Sequence, residues 1–133
     1  MLQGQVISCL QTMRTLVSEA LHYELYLQRA RPEILVSLQW VTEAAAKAGF
    51  AGFVPICRIV SERLSAISRG EIKAPLLAHV GDWAAVSELY IRRPKFRQFS
   101  AMVVGQLDGP LWGIQIDDIE RLRLIGQLSD EGR

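Results

Sequence analysis

Two histidines, His22 and His79, are the side chains in this sequence best suited to acid–base or phosphoryl-transfer chemistry near neutral pH. Neither lies in a catalytic motif, so we predict that both are helix-surface or half-buried residues. His22 lies beside an apolar stripe, where it could be exposed, and is therefore a minor candidate phosphoacceptor. The sequence has no G-x-S-x-G elbow, Walker loop or G-x-G-x-x-G pattern. We therefore expect no catalytic residue, no cofactor and no enzymatic activity.

Metal-binding and redox chemistry have equally little support in the sequence. Cys9 and Cys57 both lie in apolar segments, which predicts two buried free thiols. No CxxC or Cys/His ligand spacing is present. The carboxylates of Asp117, Asp118 and Glu120 form a cluster, but negative charge at a helix N-terminus explains it without a metal.

One basic cluster, residues 92–97, has the sequence Arg-Arg-Pro-Lys-Phe-Arg. An aromatic residue among cations can suit single-stranded nucleic acid. The net charge of the chain is only +1, which gives no global field to attract a polyanion. We therefore expect a solvated helix junction and no nucleic-acid partner.

Proline and glycine divide the 133 residues into helical segments with apolar spacings of three and four. No segment shows the alternation typical of a strand. The predicted helices span residues 3–28, 32–49, 55–70, 75–94 and 96–107, with a last helix from about 117. The expected fold is all-α: an antiparallel bundle with a four-helix core and one or two additional helices. It forms a single domain over residues 1–133, which is either complete or part of a longer protein.

Apolar residues at these spacings identify the candidate core. Half of the residues are hydrophobic, and Trp40, Trp83 and Trp112 lie in or beside apolar stripes, so core packing is expected for all three. In the last helix Ile119 and Leu122 are expected to face inward. No apolar run reaches the length of a membrane span and no secretory signal is visible, so we expect a cytoplasmic location and no membrane partner.

The predicted hairpin over residues 38–64 resembles the histidine phosphotransfer (HPt) family. That family has the pattern His-Thr-Leu-Lys-Gly-Ser-Ala, then a glycine and a second amphipathic helix. The matching residues 42–52 here are Thr-Glu-Ala-Ala-Ala-Lys-Ala-Gly-Phe-Ala-Gly. The resemblance places Thr42 at the phosphoacceptor histidine, Ala45 at the lysine that helps hold the phosphoryl group, and Ala46 at the glycine that admits a docking receiver domain. A threonine hydroxyl is a poor nucleophile without an adjacent base.

The second half of the sequence adds a more particular likeness, which extends over about residues 35–125. It resembles the degenerate HPt-like domains of the FimL type and the N-terminal regions of chemotaxis-type sensor kinases that control type IV pili. The residues that carry it are Leu76-Leu77, Asp82-Trp83, Tyr90, Pro94, Leu107 and Pro110-Leu111-Trp112.

Together these resemblances imply a non-catalytic, pseudo-phosphotransfer domain for bacterial two-component or pilus signalling. Its partner is expected to be a receiver domain, a sensor kinase or another domain of its own chain. By analogy with receiver docking, the partner surface is expected around Thr42 and Ala46, with Glu43, Lys47 and Phe50 as its principal residues. Two alternatives remain open: a helical oligomerisation or nucleic-acid adaptor module, and active phosphotransfer through His22 or His79.

Overall fold

A computed structural model of the chain describes residues 2–23, 30–67, 72–108 and 112–130. These residues form six α-helices and no strand within the described ranges. The helices are α1 (Leu2–His22), α2 (Ala30–Lys47), α3 (Phe53–Ala66), α4 (Ala74–Arg92), α5 (Arg97–Leu107) and α6 (Asp118–Asp130). The predicted all-α class is confirmed.

The apolar stripes of the first four helices meet in one core. In α1 the buried side chains include Val6, Leu10, Met13 and Val17, whose spacing of three and four keeps them on one face. This face packs against α2 on one side and α4 on the other. Aromatic side chains join α3 to α4: the ring of Phe53 stacks on Trp83 at 5.9 Å.

Side-chain contacts join the helix ends in two pairs of helices. The Gln3 amide at the start of α1 donates a hydrogen bond to the carbonyl oxygen of Ile91, near the end of α4. The Arg31 guanidinium at the start of α2 donates to the carbonyl oxygen of Ile67, which follows α3. In each pair the beginning of one helix therefore meets the end of the other.

Helices α5 and α6 extend the core beyond α4. The Tyr90 hydroxyl donates a 2.8 Å hydrogen bond to the carbonyl oxygen of Leu128, which ties α4 to the end of α6. Trp112 is fully buried between α5 and α6, and its indole N–H donates to the carbonyl oxygen of Leu107 at 2.7 Å. Arg63 of α3 in turn donates to the Trp112 carbonyl oxygen. The expected core packing of Trp83 and Trp112 is confirmed.

The helix starts predicted from the sequence agree with the structure better than the predicted helix ends. Pro55 and Pro75 lie in the first turns of α3 and α4, as expected. The Asp117 carboxylate accepts a 2.8 Å hydrogen bond from the backbone N–H of Glu120, so it caps α6. The described part of the first helix ends at His22. Residues 24–29, 68–71 and 109–111 lie outside the described residues, and so do the predicted ends of the first and third helices.

Two expected core positions on the last helix are wrong. Leu122 and Ile119 are exposed on α6, with Ile119 at 81 %. Leu124, Ile125 and Leu128 supply the buried side of α6 instead. The reason is geometric. The predicted inward residues 119, 122, 125 and 128 are spaced by three, which is less than the 3.6 residues of a full helical turn. Each residue is therefore rotated relative to the one before it, and Leu128 lies on the opposite side of the helix from Ile119.

Candidate functional site

The side of α2 that faces away from the core includes the exposed side chains of Val36, Trp40, Glu43 and Lys47. We refer to these four as the outer face of α2. They lie opposite the buried stripe of the same helix, which comprises Ile34, Leu38, Val41 and Ala45. The indole of Trp40 is 54 % exposed, so the expectation that Trp40 packs in the core is wrong.

Two shallow grooves flank the outer face of α2. The groove towards α3 has a volume of about 360 Å³, and Thr42, Arg58 and Ser61 are among its lining residues. The groove towards α1 measures about 270 Å³, and Cys9, Trp40 and Lys47 line part of it. The outer face is therefore a ridge between two depressions, with apolar and charged side chains in mixed order.

Thr42 lies half-buried on the α3-facing flank of this ridge. Its hydroxyl donates a 2.8 Å hydrogen bond to the carbonyl oxygen of Leu38. The same side chain lies within hydrogen-bonding reach of the Cys57 thiol. At the position that the resemblance matches to a phosphoacceptor, the hydroxyl is thus engaged with the protein's own backbone and a buried thiol.

The two alanines after Thr42 have different environments. Ala45 is 0 % exposed and belongs to the core. The position matched to the phosphoryl-binding lysine of the HPt family therefore does not face solvent, and the correspondence fails at this residue. Ala46 is exposed, as a position that admits a docking domain requires.

Phe50 does not belong to the partner surface expected from the HPt resemblance. Only 7 % of Phe50 is exposed, and its ring meets the edge of Tyr90 at a centroid distance of 6.0 Å. Gly49, with φ of +86°, ends α2 and turns the chain back towards the core. Glu43 and Lys47 are exposed as expected, and Trp40 is the apolar residue that accompanies them.

The two histidines lie in unlike surroundings. His79 is half-buried: its Nε2–H donates to the carbonyl oxygen of Gln106 at 2.7 Å, and its ring packs edge-on against Trp112 at 4.7 Å. These contacts are typical of a histidine that stabilises the fold. His22 is exposed and borders a groove of about 390 Å³ between α1 and α4, with Arg14 and Asp82.

The cysteines are both free, as predicted, but only one is buried. Cys57 lies in the core, where burial raises the pKa of its thiol from 9.0 to about 12. Cys9 is half-buried, and partial burial raises the pKa of its thiol as well. In the described part of the chain, no three His, Cys, Asp or Glu side chains come together as a group that could hold a metal ion.

Comparison of the chain with family models, curated proteins and solved structures gives no match. Within the described ranges, none of the helices combines the length and the apolar character that crossing a membrane requires. The HPt resemblance consequently remains a prediction from the sequence motifs.

Proposed function

We propose that this chain is a non-catalytic, HPt-like interaction domain that binds a signalling protein through the outer face of α2. The observation that carries the proposal is Trp40, a large aromatic side chain that is 54 % exposed at the centre of that face. Tryptophan is enriched among the residues that dominate binding energy in protein interfaces.

The surroundings of Trp40 fit a protein partner. Glu43 and Lys47 place charges of both signs beside the indole, and the flanking grooves can accept side chains from a partner. An aromatic centre with a polar, charged rim is the usual composition of a non-obligate protein interface. Truncation of such a central aromatic residue typically costs about 2 kcal/mol of binding free energy.

The Thr42 hydroxyl supports a binding function rather than a phosphotransfer reaction. Nucleophilic attack by a hydroxyl requires a base that removes its proton. Here the proton is directed to the carbonyl oxygen of Leu38, which is not such a base. The domain would therefore use the HPt architecture for recognition and leave the phosphoryl group to other proteins.

The class of partner follows from the resemblance stated above. We propose a receiver domain or a sensor kinase, in another protein or elsewhere in the same chain, within bacterial two-component or type IV pilus signalling in the cytoplasm. HPt-like domains meet receivers through the helical hairpin that carries the phosphoacceptor position, which here comprises α2 and α3.

The proposal is tested by calorimetric titration of the chain with a panel of bacterial receiver and sensor-kinase domains. At least one domain is expected to bind, and Lys47→Glu is expected to weaken that binding about tenfold. The matched control is Lys73→Glu, which reverses an exposed lysine just before α4. Failure of every domain to bind, or equal effects of the two reversals, would contradict the proposal.

A further inference from the structure

The corner between α4 and α5 concentrates positive charge around an exposed aromatic ring. Arg92, Arg93, Lys95 and Arg97 supply four cations within six residues. Phe96 among them is 46 % exposed. A depression of about 340 Å³ is lined by residues 92–96. We refer to residues 92–97 as the basic corner.

Local helix energetics explain Arg92 but not the other cations. Arg92 ends α4, where a positive charge suits the helix dipole, and its guanidinium pairs with Glu88 at 3.3 Å. In the described residues no carboxylate pairs with Arg93, Lys95 or Arg97. Arg93 lies over the Phe96 ring, with its guanidinium carbon 5.7 Å from the centroid.

The start of α5 goes against the usual rules for a helix N-terminus. Arg97 is the first residue of the helix, so a cation lies at the positive end of the dipole, and the first turn contains no acidic residue. The N-cap residue is Phe96, whose side chain cannot accept a capping hydrogen bond. Departures from local stability rules tend to mark functional positions.

We propose that the basic corner binds single-stranded nucleic acid, with one base stacked on Phe96 and the neighbouring phosphates paired with Lys95, Arg97 and Arg93. An exposed aromatic face flanked by cations is the arrangement that recognises unpaired bases with little sequence preference. Cations alone would suit any polyanion, whereas the exposed ring adds a surface on which an unpaired base can stack. The sequence by itself favoured a solvated junction because it did not reveal that the ring is exposed.

Binding is measured by fluorescence anisotropy with a fluorescein-labelled twenty-nucleotide oligothymidylate. Three phosphate contacts to a single strand predict a slope of about −2 for log affinity against log salt concentration. An increase from 50 to 200 mM salt should therefore weaken binding about twentyfold. Phe96→Ala should weaken binding at least about fivefold and leave the salt slope unchanged, because it removes stacking but no charge.

Charge reversal distinguishes a loss of nucleic-acid binding from a loss of folding. The double variant Lys95→Glu/Arg97→Glu should abolish binding, yet melt at or above the wild-type temperature, because acidic residues suit the start of α5. The control Lys73→Glu/Arg123→Glu has the same net charge, lies outside the basic corner and should retain most of the affinity.

Several outcomes would overturn the inference. The first is an absence of oligonucleotide binding by the wild-type chain at 50 mM salt. The second is an equal loss of affinity in the two double variants, and the third is undiminished binding by Phe96→Ala. Sedimentation with phosphatidylglycerol vesicles without oligonucleotide binding would assign the basic corner to an anionic lipid surface instead. None of these outcomes depends on whether the outer face of α2 binds a signalling protein.

Discussion

The Thr42 hydroxyl donates a 2.8 Å hydrogen bond to the carbonyl oxygen of Leu38, one turn earlier in α2. Threonine side chains in helices commonly bond back to the preceding turn in this way. The position matched to a phosphoacceptor therefore carries a side chain that satisfies its own helix. The adjacent outer face of α2 is the surface through which we propose that the domain contacts another protein.

Lysine substitutions at Ala45 and Ala46 should differ sharply in their effect on stability. Ala45 is fully buried, so Ala45→Lys forces a charge into the core and should lower the free energy of unfolding by about 3 kcal/mol or more. Ala46 is exposed, so Ala46→Lys should change it by no more than about 0.5 kcal/mol. Urea denaturation of the two variants measures the difference.

This pair also tests how far the HPt resemblance extends. The resemblance matches Ala45 to a lysine that helps hold the phosphoryl group, a role that requires a side chain at the surface. Equal stability of the two lysine variants would show that Ala45 faces solvent, and the orientation of α2 described above would be wrong.

The two histidines should respond differently to truncation. His79→Ala removes a 2.7 Å hydrogen bond to Gln106 and an edge contact with Trp112, so we expect a loss of about 1–3 kcal/mol. His22→Ala serves as the control, since His22 is exposed, and should cost less than about 0.5 kcal/mol. Thermal unfolding in parallel checks both. A larger loss for His22→Ala than for His79→Ala would contradict the packing described for His79.

Cys57 should make the fold sensitive to alkali. Its thiol ionises near pH 9.0 when unfolded, but burial raises the pKa to about 12 in the folded chain. Between these values the folded state holds the proton more tightly, so stability is complete below pH 9 and falls as the pH rises. The slope approaches about 1.4 kcal/mol per pH unit.

The Cys57 contribution is isolated by comparison with Cys57→Ala. Both proteins are unfolded in urea from pH 8 to 11, and the wild-type chain should lose stability more steeply above pH 9. Parallel pH profiles would show that the Cys57 thiol ionises equally well in the folded and unfolded chains.

Much of the fold was predictable because it follows from local sequence. Proline and glycine mark most helix boundaries, and spacings of three and four identify the buried stripes of α1 to α4. The exposure of Trp40 was also predictable from this spacing. It follows Leu38 by two residues, about 200° around the helix, and therefore lies away from the stripe that Leu38 belongs to.

Other features depend on contacts between distant parts of the chain. Phe50 follows the positive-φ turn at Gly49, and only the tertiary position of Tyr90 decides that its ring is buried. By contrast, Ala45 continues the spacing of Leu38 and Val41, so its burial was predictable from periodicity even though the motif matches it to a family lysine. Motif position alone does not define which side chains reach solvent.

The most direct measurement of the central claim is the affinity of a receiver or sensor-kinase domain for Trp40→Ala, beside the matched control Leu122→Ala. Both residues are large, apolar and exposed, but Leu122 lies on α6. Calorimetry should show affinity at least about tenfold weaker for Trp40→Ala, because the interface loses its central aromatic residue, and near wild-type affinity for Leu122→Ala. Unchanged affinity of Trp40→Ala, or an equal loss in both variants, would contradict the assignment of the outer face of α2 as the partner-binding surface.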